Sequence, residues 1–433
     1  MSSDTCKLSD IAEVQGGFAF KSADFSDTGV AVVKIANIQP PSVSLANVDR
    51  IAPDKLKGLE RFELLDGDIL MAMTGATVGK AGRFRLTEPA YLNQRVARIS
   101  AKKGHLFDDF VYAVVSLPGF DNLIEGASAG SAQANISAAG IGSVVIPKLS
   151  DSEQIQIGGI ARMLDDRIAL LRETNATLEA IAQALFKSWF VDFDPVHARA
   201  LGEEPAGLSP EVAALFPASF EDSELGMVPK GWRAGAFGDV CARIESGGTP
   251  KRSVPEYWGG GVPWLSSGEV RNPIVFDTKE TITDLGVRES AAKLWPQGTT
   301  VVAMYGATAG EVCLLAKPTT ANQACCGLIP KSQTRAFMFM CARRERVALA
   351  SKSSGSAQQN LNKGLIESHS LVLPPNEVLN AYEESAGALL DCWIANAQQA
   401  QTLATLRDTL LPRLISGQLR LPEAKAMVRE VQE

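Results

Sequence analysis

Side-chain amides and hydroxyls on glycine-rich loops are the residues of this chain best suited to chemistry, and they occur twice. GSAQANIS (residues 130–137) puts Ser131, Gln133 and Asn135 on one short stretch, and SSGSAQQNLN (353–362) puts Ser353, Ser356, Gln358 and Asn360 on another. A carboxamide pairs bidentately with adenine, while hydroxyls and backbone N–H groups bond phosphate oxygens. Two further blocks return in the same order. MAMTGATVG (71–79), with Thr74 and Thr77, returns as VAMYGATAG (302–310), with Tyr305 and Thr308. YLNQ (91–94), with Asn93 and Gln94, returns as TANQ (320–323), with Asn322 and Gln323. The copies lie 225 to 231 residues apart. Such a period is too long for a solenoid repeat and fits a whole domain plus a connecting helix. Cations able to meet phosphates flank the blocks: Lys21 beside Ser22, Lys80, Arg83, Arg85 and Arg95 in the first copy, and Lys251 and Arg252 beside Thr249, with Arg343, Arg344 and Lys352, in the second. Taken singly, each glycine or amide also suits a turn or a strand cap. Turns need no particular amide order, so the set points to a repeated reading surface.

Other chemistries are poorly supplied. GATVGKA (75–81) resembles a phosphate-binding loop but has three residues between its glycines, and Ala81 stands where a Mg²⁺-binding hydroxyl is required. GASAG (126–130) matches a nucleophile elbow around Ser128, but the segment before it reads as helix where a strand is needed. Three scattered histidines and seven cysteines without a CxxC leave little for a zinc site or a His-based triad. Catalytic and metal residues are therefore expected to be none. The cysteines suit a reduced cytoplasmic setting, as small core residues.

The positioning elements follow from composition and period. A length of 433 residues predicts two or three domains. No apolar run reaches the roughly 18 residues of a membrane span, and MSSDTCKLSD has no apolar signal core. Net charge is −7, unevenly spread: residues 232–375 hold 16 Lys and Arg against 11 Asp and Glu, whereas 151–231 hold 6 against 14. Residues 1–150 and 232–375 read as mixed strand and turn, each closing on an apolar strand that ends at proline. After each comes a heptad pattern. Ile157, Leu164, Leu171, Leu178 and Leu185 form one row; Ile168, Asn175 and Trp189 belong to a second, offset by four. This predicts a coiled-coil helix over 151–192. Leu389, Leu403, Leu406, Leu410 and Leu414 mark a weaker second helix over 376–417. Proline-rich 193–231 is expected to be a linker with short helical turns at most, and 418–433 a fraying tail.

FKSWFVDFDPVHA (186–198) and LRDTLLPRLISGQL (406–419) resemble the ends of the two conserved helices of the specificity subunit of type I restriction-modification systems. PKGW (229–232), ESGGTPKR (245–252) and VPWLSSGEV (262–270) resemble the opening of that family's target-recognition domain, as does GGFAFKSADF (16–25). The resemblance covers essentially the whole chain. It implies two α/β target-recognition domains, 1–150 and 232–375, in tandem pseudo-symmetric copies separated by two long antiparallel coiled-coil helices. Each domain would read half of a bipartite, gapped site in double-stranded DNA through the major groove. The helix pair would set the gap and dock two methyltransferase subunits and the restriction subunit, with Phe186, Trp189 and Phe190 in the pairing and docking surface. S-adenosylmethionine for adenine-N6 methylation, and ATP and Mg²⁺ for cleavage, would be bound by those partners and not by this chain. A methylation-only assembly, or a coiled-coil scaffold carrying two modules that bind something other than DNA, are the competing readings.

Overall fold

The structure, a computed structural model, describes residues 4–127, 135–352 and 361–432. It divides into two compact units, Met1–Ala169 with Ala400–Glu433, and Leu170–Gln399. Each contains one mixed α/β module and part of two long helices, Asp151–Phe190 and Ala388–Ile415.

In the first unit the main sheet runs in the order Ala12–Gly16, Val96–Ala101, Ile69–Ala72, Ala81–Arg83, Ser42–Val43, Ile38–Gln39. In the second it runs Cys241–Ser246, Cys325–Pro330, Thr300–Ala303, Val312–Leu315, Ile274–Val275. The directions match: the first three pairings are antiparallel and the next is parallel in both units. A smaller sheet repeats as well, with Val30–Val33 or Trp258–Leu265 between one parallel and one antiparallel neighbour. At the base of each module its first and last strands pair antiparallel: Thr5–Lys7 with Val145–Pro147, and Arg233–Ala236 with Ser370–Leu373.

Thr300–Ala303 shows why the central strands read as unbroken apolar runs. All four residues are at most 1% exposed. Val302 faces a core shared with the helix Arg335–Arg344, while Val301 and Ala303 face Leu265, Trp295 and Ala321 on the other side. A strand covered on both faces cannot alternate polar with apolar.

The helix Asp151–Phe190 buries Ile157, Leu164, Ile168, Leu171, Phe186, Trp189 and Phe190, with Leu178 and Leu185 partly buried. Asn175 lies on the same seam, 8% exposed, and its Oδ1 has no hydrogen-bond partner among the described residues. The second helix is preceded by the helix Asn376–Tyr382 and a π-turn, Glu383–Gly387. It buries Leu403, Leu410 and Leu414, whereas Leu389 and Leu406 are only half-buried. Leu390 and Trp393 are the buried residues at its start, where the Trp393 ring meets that of Phe339. Sevenfold spacing alone missed them because this end of the helix packs on its own module. The two helices meet in the first unit, where Asp165 Oδ1 accepts from Arg407 Nη1 at 2.6 Å; in the second the Tyr382 hydroxyl, on the helix that precedes Ala388–Ile415, donates to the Ala182 carbonyl at 3.3 Å.

Two expected loose segments are folded. Residues 193–231 form the helices Asp194–Ala200 and Pro210–Ala213 and the hairpin Phe220–Ser223/Gly226–Pro229. Pro195 and Pro210 occupy first helical turns, where the missing N–H costs nothing, so they start helices here. Val196, Phe216 and Trp232 are buried, and Phe216 meets Trp189 edge-on at 5.0 Å. The tail forms the helix Leu421–Gln432, which buries Ala424 and Val428 at helical spacing while Lys425 donates to Gln156.

Candidate nucleic-acid interface

Each module gathers its repeated blocks through the same backbone hydrogen bonds. The Met73 N–H donates to the Arg95 carbonyl (2.9 Å) and the Met304 N–H to that of Ala324 (2.7 Å), tying the first block to the second. The Ile136 N–H donates to Met73 (2.9 Å) and the Leu361 N–H to Met304 (2.9 Å), bringing in the edge of the third. The opening loops join through Gly17 N–H to Val96 (3.1 Å) and Gly247 N–H to Cys325 (3.0 Å). These two glycines are required by contact: a Cβ on either would stand 2.2 Å from the carbonyl oxygen of Asn93 or Asn322. Backbone paired in this way holds four chain segments in one loop cluster per module, and the side chains between the bonds are free to vary.

The side chains divide into those that build the cluster and those that it presents. Asn93 is 5% exposed, and Asn322 is half-buried and takes the Ala324 N–H on its Oδ1 at 3.1 Å. The Asn93 Oδ1 faces the Arg95 N–H at 3.4 Å. Thr308, 8% exposed, donates to the Tyr305 carbonyl. In these three side chains the oxygen serves a turn: Asn93 Oδ1, Asn322 Oδ1 and the Thr308 hydroxyl all meet local backbone. Thr74 and Thr77 are half-buried, each with an enclosed hydroxyl that lacks a partner among the described residues. Lys21, Ser22, Lys80, Gln94, Arg95 and Asn135 are exposed in the first module, and Lys251, Tyr305, Gln323 and Lys352 in the second. Gln323 and the half-buried Thr249 are hydrogen-bonded to each other. Ser131, Gln133, Ser353, Ser356, Gln358 and Asn360 lie outside the described residues, as does Ser128.

Several flanking cations are already engaged. Arg252 lies over Trp258 at 3.7 Å and is bidentate to Glu280. Hydrogen bonding to that guanidinium holds the Glu280 carboxyl below the usual range. Arg83 is bonded to Asp109 at 2.6 Å and lies over Tyr112, inside the module. Glu280 and Asp109 carry no motif, and only the folded proximity reveals their role. GATVGKA does not form a phosphate cradle: its Gly75–Thr77 turn leads into the strand Ala81–Arg83, not into a helix whose N-terminus faces a ligand. Cys241 and Cys326 are buried, and desolvation pushes both thiols up to about 12. Among the described residues no group of three or more His, Cys, Asp or Glu gathers as metal ligands, and no helix is long and apolar enough to cross a membrane.

Comparison with known proteins gives a consistent set of likenesses. The family described as "Type I restriction modification DNA specificity domain" matches residues 2–180 and 229–381. The specificity subunit of the type I restriction enzyme HindI of Haemophilus influenzae is 29% identical over 309 residues, 61% of this chain and 67% of that one. The MjaIX specificity subunit of Methanocaldococcus jannaschii is 24% identical over 341 residues, 77% of this chain and 74% of its own. The crystal structure of a type I restriction-modification S subunit from M. genitalium superposes with a TM-score of 0.60 at 14% identity, covering 95% of this chain and 96% of that one, a likeness of fold.

Proposed function

Because this chain belongs to the type I restriction-modification DNA specificity family, we propose that each module reads one half of a bipartite, gapped DNA site. The observation that carries this reading is the matched hydrogen-bond wiring of the two loop clusters. The same backbone scaffold presents Gln94 and Arg95 in one module and Tyr305 and Gln323 in the other. Equal scaffolds with unequal side chains suit two half-sites of unlike sequence. Exposed amides read base edges in the major groove, and exposed lysines and arginines fix register on the phosphates. The two long helices set the gap and dock two methyltransferase subunits and the restriction subunit. The partners hold S-adenosylmethionine, ATP and Mg²⁺, and this chain supplies sequence choice without catalysis.

The test is the methylome of a host lacking its own adenine methylation, with this chain and its cognate methyltransferase co-expressed and the methyltransferase alone as control. A gapped motif methylated on both strands and absent from the control is expected. Gln94→Ala should alter one half of that motif and Gln323→Ala the other. A complex that assembles but yields no new motif would favour a scaffold with non-DNA modules.

A further inference from the structure

A cleft of about 470 Å³ in the second unit is lined in part by Glu311 and Val312, just after the Gly306–Thr308 turn. Its charged lining is Lys187, Arg271, Glu311, Arg343, Arg344 and Arg346. Five cations thus face one carboxylate. Three have acidic partners: Lys187 pairs with Asp192, Arg343 with Glu179 and Arg344 with Glu345. Arg271 and Arg346 have none among the described residues, and the buried Nε of Arg343 has no hydrogen-bond partner. Unpaired guanidinium donors around a hollow of this size make a site for an anion, and the planar fork suits tetrahedral oxyanions.

The position of the cleft selects the anion. Gly306–Thr308 belongs to the loop cluster, Glu311 lines the cleft, and only Ala309 and Gly310 separate them. The backbone is locked there too, since a Cβ on Gly310 would meet the Arg346 carbonyl oxygen at 2.5 Å. A group bound in the cleft therefore lies within two residues of chain of the loop cluster. We infer that this cleft takes a phosphodiester of the same duplex that the second module reads, an inference that rests on the DNA reading above. The first module does not repeat these arginines: at the 225-residue offset Arg343, Arg344 and Arg346 correspond to Pro118, Gly119 and Asp121. The two half-sites are then gripped unequally, with the extra backbone contact on the second module's side.

The experiment uses the assembled methyltransferase complex, titrated with cognate and non-cognate duplexes across a salt series. Arg271→Gln with Arg346→Gln should weaken both duplexes several-fold, lower the salt slope by about 2 and leave the methylated motif unchanged. Glu311→Gln, which removes the one like charge, should tighten both, and it keeps the test decisive if the double variant folds poorly. Unchanged affinity and slope in these variants would overturn the proposal. So would a double variant that fails to assemble with the methyltransferase while its own fold and DNA affinity persist, because the cleft would then hold a partner's carboxylates. Absence of any gapped motif in the wild type would instead count against the DNA reading itself.

Discussion

Gly306 and Gly310 both have left-handed backbones, at φ +67° and +85°, but different surroundings. Among the described residues nothing lies within 4 Å of a Cβ built on Gly306, whereas one on Gly310 meets the Arg346 carbonyl and Ala350. Gly310→Ala should therefore cost about 1–3 kcal/mol and clearly more than Gly306→Ala, which thermal unfolding of the two variants would measure. A second local feature gives a pH dependence. His369 Nε2 stands 3.1 Å from Glu345 Oε2, and chiefly that hydrogen bond, aided by Arg344, holds the Glu345 carboxyl below its ordinary value. A lowered folded-state pKa contributes stability above the unfolded value, near 4.3, and that contribution is lost as pH falls through the folded one. Melting temperature should drop more steeply below about pH 4.3 in the wild type than in Glu345→Gln; parallel curves would show that the pair contributes nothing. At this scale the blocks that form the site were legible, but the division of labour within them was not. Asn93 and Gln94 are adjacent and chemically alike, yet one builds the turn and the other faces solvent. The fold that separates them involves the opening loop, remote in sequence, against whose Gly17 the Asn93 carbonyl packs.

Helices carried the clearest signal, because apolar residues sustained at heptad spacing fit neither a strand nor a loop. The seam of Asp151–Phe190 is buried at Ile157, Leu164, Ile168, Leu171 and Trp189, where sevenfold spacing places it, and partly buried at Leu178 and Leu185. Its Asn175 Oδ1 has no partner among the described residues in that seam, a polar group whose burial costs stability. Asn175→Leu should raise the melting temperature, with a gain of about 1 kcal/mol; no gain would mean that the amide finds a partner in solution. What stayed illegible was prolines that start helices and helices with two neighbours. Pro195 and Pro210 looked like breaks, and Leu390 and Trp393 broke the heptad because they face a module. Arg335 shows the same limit: bonded to Glu383, the Gly387 carbonyl and Asp391 around the π-turn, it belongs to no pattern readable in one dimension.

Over the whole molecule, the proposed reading makes helix length a measure of DNA. One heptad added to each long helix is about 10 Å of rise, or about three base pairs at 3.4 Å each. The methylated motif of such a variant should keep both half-sites and widen its gap by that amount; an unchanged gap would separate the helices from spacing. Charge belongs to this scale as well. The net charge of −7 conceals a second module in which cations outnumber anions by 16 to 11, so the mean over the chain misstates what a duplex would meet. The antiparallel pairing at the base of each module, Thr5–Lys7 with Val145–Pro147 and Arg233–Ala236 with Ser370–Leu373, has a consequence beyond stability. The chain enters and leaves each module at one place, so a module behaves as a cassette plugged into a two-pin socket. Under the proposed reading, exchange of one complete cassette between related genes would change one half-site and leave the other as it was.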